Sequence, residues 1–232
     1  MKNSEDMSME QERGTHILVL LDRSGSMAAI ADDVIGGFNQ FLEDQLREGP
    51  DARITLVQFD SVDAQEFVMA GSPIADARPL TRQTYVPRGG TPLLDATAKL
   101  IEHGRAAEAQ RAMAGLPQER IVFVSITDGQ ENQSREHDLA QVKGMIRARE
   151  EQGWVFVFLS AALDANGDAL RLGINAGSIQ GFEHSREGVH QAMNSLSRKL
   201  VDFRRGRVAP GPDGFFGKDK PAEAHRSRKT RK

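Results

Sequence analysis

Apolar residues fall into two spacings along this chain. His16–Leu21 is a continuous aliphatic run of strand length, and Ile121–Ile126 and Trp154–Ser160 repeat it. Such runs predict strands buried on both faces, as at the centre of a parallel sheet. Arg53–Asp60 instead alternates apolar and polar residues, and Gln65–Ala70 follows after a short segment, which predicts a hairpin. Ser178–Phe182 reads as a short edge strand.

Between these runs the spacing becomes helical. Residues 27–48 carry Ile30, Val34, Phe38, Phe41, Leu42 and Leu46 on one face, and Gly49-Pro50 ends the helix. A second helix starts near Pro92 and ends before Pro117, with Gly104 and an Ala-rich stretch leaving its second half open. Ser134–Gln152 predicts a third, with Leu139, Val142, Met145 and Ile146 in register. A short helix over 164–172 ends at Gly173, a favourable residue just past a helix end. The last, over 186–204, places Val189, Met193, Leu196, Leu200 and Phe203 on one face. Residues 71–90 form a long Gly/Pro-containing connection, and such a loop inside a compact domain is usually functional.

Helices alternating with buried strands imply an α/β fold. The parallel sheet is covered on both faces, doubly wound, with one antiparallel hairpin strand at an edge. Residues 1–14 read as a disordered leader, 15–204 as one domain, and 205–232 as a flexible basic tail. A length of 232 residues suits one large domain with a full core.

Charge and composition narrow the function classes. The net charge is −3, but residues 218–232 carry seven Lys/Arg against two acids, leaving the remainder at −8. An acidic body argues against a general nucleic-acid surface, whereas the tail is expected to touch anionic surfaces weakly. With no cysteine, no disulfide forms, in keeping with a reducing compartment. The first 14 residues hold no apolar stretch resembling a signal peptide, and Ile17–Leu21 and Trp154–Leu159 are too short to span a bilayer. The expectation is a cytoplasmic protein without a transmembrane segment.

The candidate chemistry lies in three strings, LVLLDRSGSMA, RGGTPLLDA and VSITDGQEN. Each places oxygen ligands at or just past the end of an apolar strand, the edge where open α/β sheets bind ligands. Asp22, Ser24, Ser26, Thr91 and Asp128 form an all-oxygen set suited to a hard cation: Mg²⁺, or Mn²⁺ or Ca²⁺ by the same chemistry. Simpler roles exist for each fragment. Ser26 could cap the following helix, Thr91-Pro92 is a good helix start, and Asp128-Gly129 is a common turn pair. Capping alone does not explain two serines spaced by Gly25 after a buried strand.

Together the strings resemble the metal-ion-dependent adhesion site of the von Willebrand factor type A (vWA) domain family: Asp-x-Ser-x-Ser, a distant Thr and a later Asp-Gly. The resemblance covers about residues 15–204 and implies a six-stranded sheet of order 3-2-1-4-5-6. It further implies that Ser24 and Ser26 bind the metal directly. Thr91 would bind directly in one state and through water in another, and Asp22 and Asp128 mostly through water. The implied function is protein recognition through a partner Glu or Asp taken at the open metal position, without catalysis. Partners of ring-forming ATPases are one kind of assembly suggested. Two alternatives stay open: an Mg-dependent phosphohydrolase with Asp22 near the metal, and a structural subunit with a static metal. No phosphate-loop string, dinucleotide fingerprint or nucleophile elbow supports another enzyme class.

Five further residues are weaker candidates. Asp60 reads as a solvated strand-end acid, Asp95 as a helix-dipole acid, and Glu131 and Asn132 as loop residues within a partner's reach. Arg23 is either a steering charge or solvated.

Overall fold

The structure, a computed structural model, describes residues 13–161, 165–207, 211 and 213–217. Six strands form one sheet: β1 (Thr15–Asp22), β2 (Ala52–Phe59), β3 (Glu66–Pro73), β4 (Arg120–Thr127), β5 (Val155–Ser160) and β6 (Ile179–Gly181). Five α-helices accompany them: α1 (Ala31–Glu48), α2 (Leu93–Met113), α3 (Leu139–Glu150), α4 (Ala165–Arg171) and α5 (Arg186–Arg204). The sheet order is β3-β2-β1-β4-β5-β6, with β2–β3 antiparallel and the other pairs parallel. This is the expected doubly wound α/β architecture.

Side chains alternate across each strand, so the sheet feeds two cores. Ile17, Val19 and Leu21 of β1 join α1 and α5 on one face, while Leu18 and Leu20 join α2 and α3 on the other. Gly104 explains how α2 lies so close to the sheet. A Cβ there would stand 2.6 Å from the Trp154 ring and 2.7 Å from Leu18, so only glycine fits and the helix runs on to Met113.

Three expectations need correction. The helix expected from Ser134 begins at Leu139, capped by Asp138 with Gln141 in a reciprocal capping box. Its first five expected residues are loop because carboxylates elsewhere hold the amides of the first four, as described below. Residues 27–30 fall in a 3-10 turn over Gly25–Ile30, and α1 proper starts at Ala31. Part of the stretch expected to be tail belongs to the core: Phe215 and Phe216 are buried, and Phe215 packs on Phe203 of α5. The Phe215 amide donates to Ser178 Oγ and the Phe216 amide to the Gly177 carbonyl, tying this segment to the entry of β6. Residues 1–12 of the expected leader and the basic run 218–232 lie outside the described residues. Among the described residues, no helix is long and apolar enough to cross a membrane.

Candidate metal-binding site

β1 and β4 are parallel neighbours in register, Leu21 opposite Ile126, so their C-terminal ends bring Asp22 beside Thr127 and Asp128. Asp22 is fully buried. Its Oδ1 accepts the Ser24 amide at 2.6 Å and its Oδ2 the Thr127 hydroxyl at 2.5 Å. Its main-chain carbonyl accepts the Tyr85 hydroxyl at 2.7 Å, which anchors the 71–90 connection under the site. The turn that follows projects two hydroxyls side by side, Ser24 Oγ and Ser26 Oγ, 3.0 Å apart. Ser26 Oγ donates to Asp128 Oδ1 at 2.6 Å. Ser24, Ser26 and Asp128 thus form one continuous chain of oxygens, with Asp22 tied to it through the Ser24 amide.

Thr91 completes the group from a third loop. Its amide donates to Asn132 Oδ1 at 2.9 Å, and its carbonyl accepts the Asn132 amide at 3.1 Å. Gly129 makes room for it: a Cβ on Gly129 would stand 2.8 Å from Thr91 Oγ1. Gly89 turns the preceding chain at φ +68°, and its carbonyl accepts the Gly25 amide at 3.0 Å, which fastens the Thr91 loop to the serine turn. The structure brings all five sequence-predicted residues to one edge of the sheet.

The residues treated as weaker candidates turn out to build the frame. Arg23 is neither solvated nor free to steer. It is buried, with Nε on Asp60 Oδ2 at 2.9 Å and its guanidinium on Gln58 and Glu66. Asp60 is likewise fully buried, and also accepts Arg88 Nε at 2.9 Å and the amides of Val62 and Asp63. Burial alone would raise its pKa, but Arg88, the two amides and Arg23 hold it below the usual carboxylate range. Asp95 accepts the amides of Arg135, Glu136 and His137. Glu131 accepts the amides of Leu94, Gln133 and Ser134. These bonds lock the loop after Asp128 onto the N-terminus of α2, and so fix Asp128 relative to Thr91.

Two contributors had weak or no sequence signal. Thr127 sits inside the VSITDG string, and only its position at the end of β4 beside Asp22 reveals its role. His184, on the link between β6 and α5, places Nε2 2.8 Å from Asp128 Oδ2. Nothing in its spacing connects it to a residue 56 positions earlier.

The electrostatics favour a cation. Burial pushes the Asp22 pKa from 3.8 up to about 6; the Thr127 and Ser24 hydrogen bonds oppose this and the Asp128 charge adds to it. One edge of the donor set can be compared with a metal's geometry. Adjacent ligands around octahedral Mg²⁺ stand about 2.9 Å apart, given Mg–O distances near 2.05 Å. The Ser24–Ser26 separation matches that edge. Among the described residues no three His, Cys, Asp or Glu side chains gather as a metal cluster, so a cation here would depend on hydroxyl oxygens.

No family profile and no curated protein matches the chain. Solved structures do. The chain is similar to the pilus adhesin SpaC from Lactobacillus rhamnosus GG (TM-score 0.60, 14% identity, covering 82% of this chain and 30% of the adhesin). It is similar to the SpRpn10 VWA domain (TM-score 0.52, 11% identity, 85% of this chain and 99% of that one). The fold is vWA-like. A third similar structure is the manganese-loaded TRAP protein of Plasmodium vivax (TM-score 0.52, 14% identity, 79% of this chain and 72% of that one). At these identities the likeness concerns the fold alone. This vWA-like chain spans less than a third of the adhesin's length.

Proposed function

We propose that the chain is a divalent-cation-dependent protein-recognition module that takes a partner's Glu or Asp at its metal site. The observation that carries this reading is the row of oxygens from Ser24 Oγ through Ser26 Oγ to Asp128 Oδ1, at separations of 3.0 and 2.6 Å. Ser24, Ser26 and Thr91 would hold Mg²⁺, or Mn²⁺ or Ca²⁺, through their hydroxyls, with Asp22 and Asp128 orienting them from behind. When bound, the cation supplies a positive centre that neutral hydroxyls leave largely uncompensated, and an anionic side chain is its natural partner. A cation in a solved neighbour, the manganese-loaded TRAP protein, supports the reading. A ring-forming ATPase system is one kind of partner this reading admits.

Asp22 does not suit the place of a nucleophile in a phosphohydrolase. A nucleophilic carboxylate must reach substrate, yet Asp22 is fully buried and both its oxygens accept hydrogen bonds. The experiment is calorimetric titration of Mg²⁺ into the wild type and the Ser24→Ala, Ser26→Ala double variant, followed by partner capture with and without chelator. We expect binding only in the wild type and capture only with cation. Equal Mg²⁺ binding by both proteins would remove the site; capture that survives chelation would move recognition to another face.

A further inference from the structure

The link between β6 and α5 carries a device aimed at Asp128. The Asp128 side chain is 1% exposed, and its two oxygens are used differently: Oδ1 takes the Ser26 hydroxyl and Oδ2 faces His184 Nε2 at 2.8 Å. An ionised carboxylate only accepts, so Nε2 carries the hydrogen. The turn that carries His184 is itself held. The Phe182 amide donates to the Ser160 carbonyl, and the Ser185 amide to the Glu183 carbonyl at 2.7 Å. Ser185 caps α5 by accepting the Gly188 amide at 3.2 Å. Gly188 lets the turn seat directly on the helix, because a Cβ there would stand 2.1 Å from the Glu183 carbonyl oxygen. His184 thus projects from a pinned turn, not from a loose loop.

Resting on the cation site proposed above, we propose that His184 is a positioning and specificity-determining residue: it caps Asp128 Oδ2 so that the carboxylate offers the site one oxygen instead of two. Ca²⁺ favours six to eight oxygens and readily takes bidentate carboxylates, whereas Mg²⁺ demands octahedral geometry and single oxygens. With Oδ2 engaged, Asp128 stays behind Ser26 as an orienting group and does not swing in as the bidentate ligand that Ca²⁺ readily takes, which favours Mg²⁺ over Ca²⁺. His184 is not itself a ligand in this scheme, since its Nε2 is spent on Asp128 and Mg²⁺ prefers oxygen.

The test is calorimetric titration of Mg²⁺ and of Ca²⁺ into the full chain as wild type, His184→Ala and His184→Gln, with melting of each in chelator. In His184→Ala, Mg²⁺ should bind about tenfold more weakly, the usual cost of losing such an outer partner, while Ca²⁺ changes little. The ratio of the two affinities therefore shifts by about tenfold. His184→Gln keeps a donor and should restore the wild-type ratio. An unchanged ratio in His184→Ala would overturn the proposal, as would equal loss of both cations with a lower melting temperature in chelator. So would a Gln variant that behaves like the Ala variant. A wild type that binds neither cation would instead overturn the metal site, and this inference with it.

Discussion

Replacing Asp22 by Asn separates what the carboxylate costs the fold from what it gives the site. Asp22 is fully exposed to the protein interior and not at all to solvent, and its pKa rises from 3.8 to about 6. A rise of that size corresponds to about 3 kcal/mol at roughly 1.36 kcal/mol per pH unit. Below pH 3.8 both folded and unfolded chains are protonated and the penalty is absent. Between about pH 4 and 6 the unfolded chain gives up the proton that the fold retains, so cation-free stability falls as pH rises. Above about pH 6 the penalty is complete. Asn keeps the shape: its Oδ1 can accept the Ser24 amide, and its Nδ2 can donate to Thr127 Oγ1, whose own hydrogen then serves the Gly129 carbonyl at 3.2 Å. In chelator at pH 8, Asp22→Asn should therefore be more stable than wild type by about 2 kcal/mol, after allowance for weaker neutral hydrogen bonds. For a chain of this size that raises Tm by roughly 4–8 °C. The gain should vanish near pH 4. In Mg²⁺ the order should reverse, because a ligand at a hundred times its Kd adds about 2.7 kcal/mol to the wild type and nothing to a variant that cannot bind it. Melting followed by circular dichroism from pH 4 to 8, with chelator or with Mg²⁺, measures all of this. A variant less stable than wild type in chelator at pH 8, or a gap that does not change between pH 4 and 7, would refute the argument.

Three further outcomes follow from the frame. Arg23→Ala leaves fully buried Asp60 with Arg88 as its remaining ionic partner, and should destabilise the fold by about 3 kcal/mol in urea unfolding; a loss below about 1 kcal/mol would show that the pair is dispensable. Gly129→Ala drives a Cβ to within 2.8 Å of Thr91 Oγ1, so calorimetry should show Mg²⁺ affinity falling about tenfold while urea stability changes by less than about 1 kcal/mol. Phe216→Ala, or a chain ending at Arg207, should lower cation-free stability by about 3 kcal/mol and Tm by roughly 10 °C, since Phe216 is fully buried; an unchanged Tm would mean that the segment only rests on the surface.

What the sequence displays well is what local pattern controls. β1, β4 and β5 show as largely apolar runs because both faces of each strand are covered, and the serine turn shows because Ser-Gly-Ser after a buried strand has few other uses. What it hides is set by distant pairing. Arg23 and Asp60 look like solvated charges, and only the sheet's register, placing Asp22 opposite Phe59, buries them together. Residues 134–138 sit before a true helical periodicity, yet their loop is decided by Asp95 and Glu131 capturing amides about 40 residues away from Asp95 in sequence. Phe215 and Phe216 lie among glycine, proline and charge, so a compositional reading averages away two aromatic rings that reach the core. His184 belongs to the same class: a single contact across the sheet edge leaves no periodic trace.

These hidden interactions share one consequence for the proposed site. Each of the three loops that carry the site residues is fixed by a carboxylate already satisfied by protein donors: Asp60 beside the serine turn, Asp95 and Glu131 between the Thr91 and Asp128 loops. Asp22 differs, because its hydrogen bonds do not offset its burial and its pKa stays raised. It is thus the carboxylate in the frame whose charge still lacks compensation, and it stands directly behind Ser24. A cation bound in front of it would relieve a penalty already built into the fold, so part of the binding free energy would come from that relief and not from new contacts. Protons compete for the same relief below about pH 6, and Mg²⁺ affinity should therefore weaken as pH falls through that value. A titration series giving the same Kd at pH 5 and pH 8 would show that the cation draws nothing from Asp22.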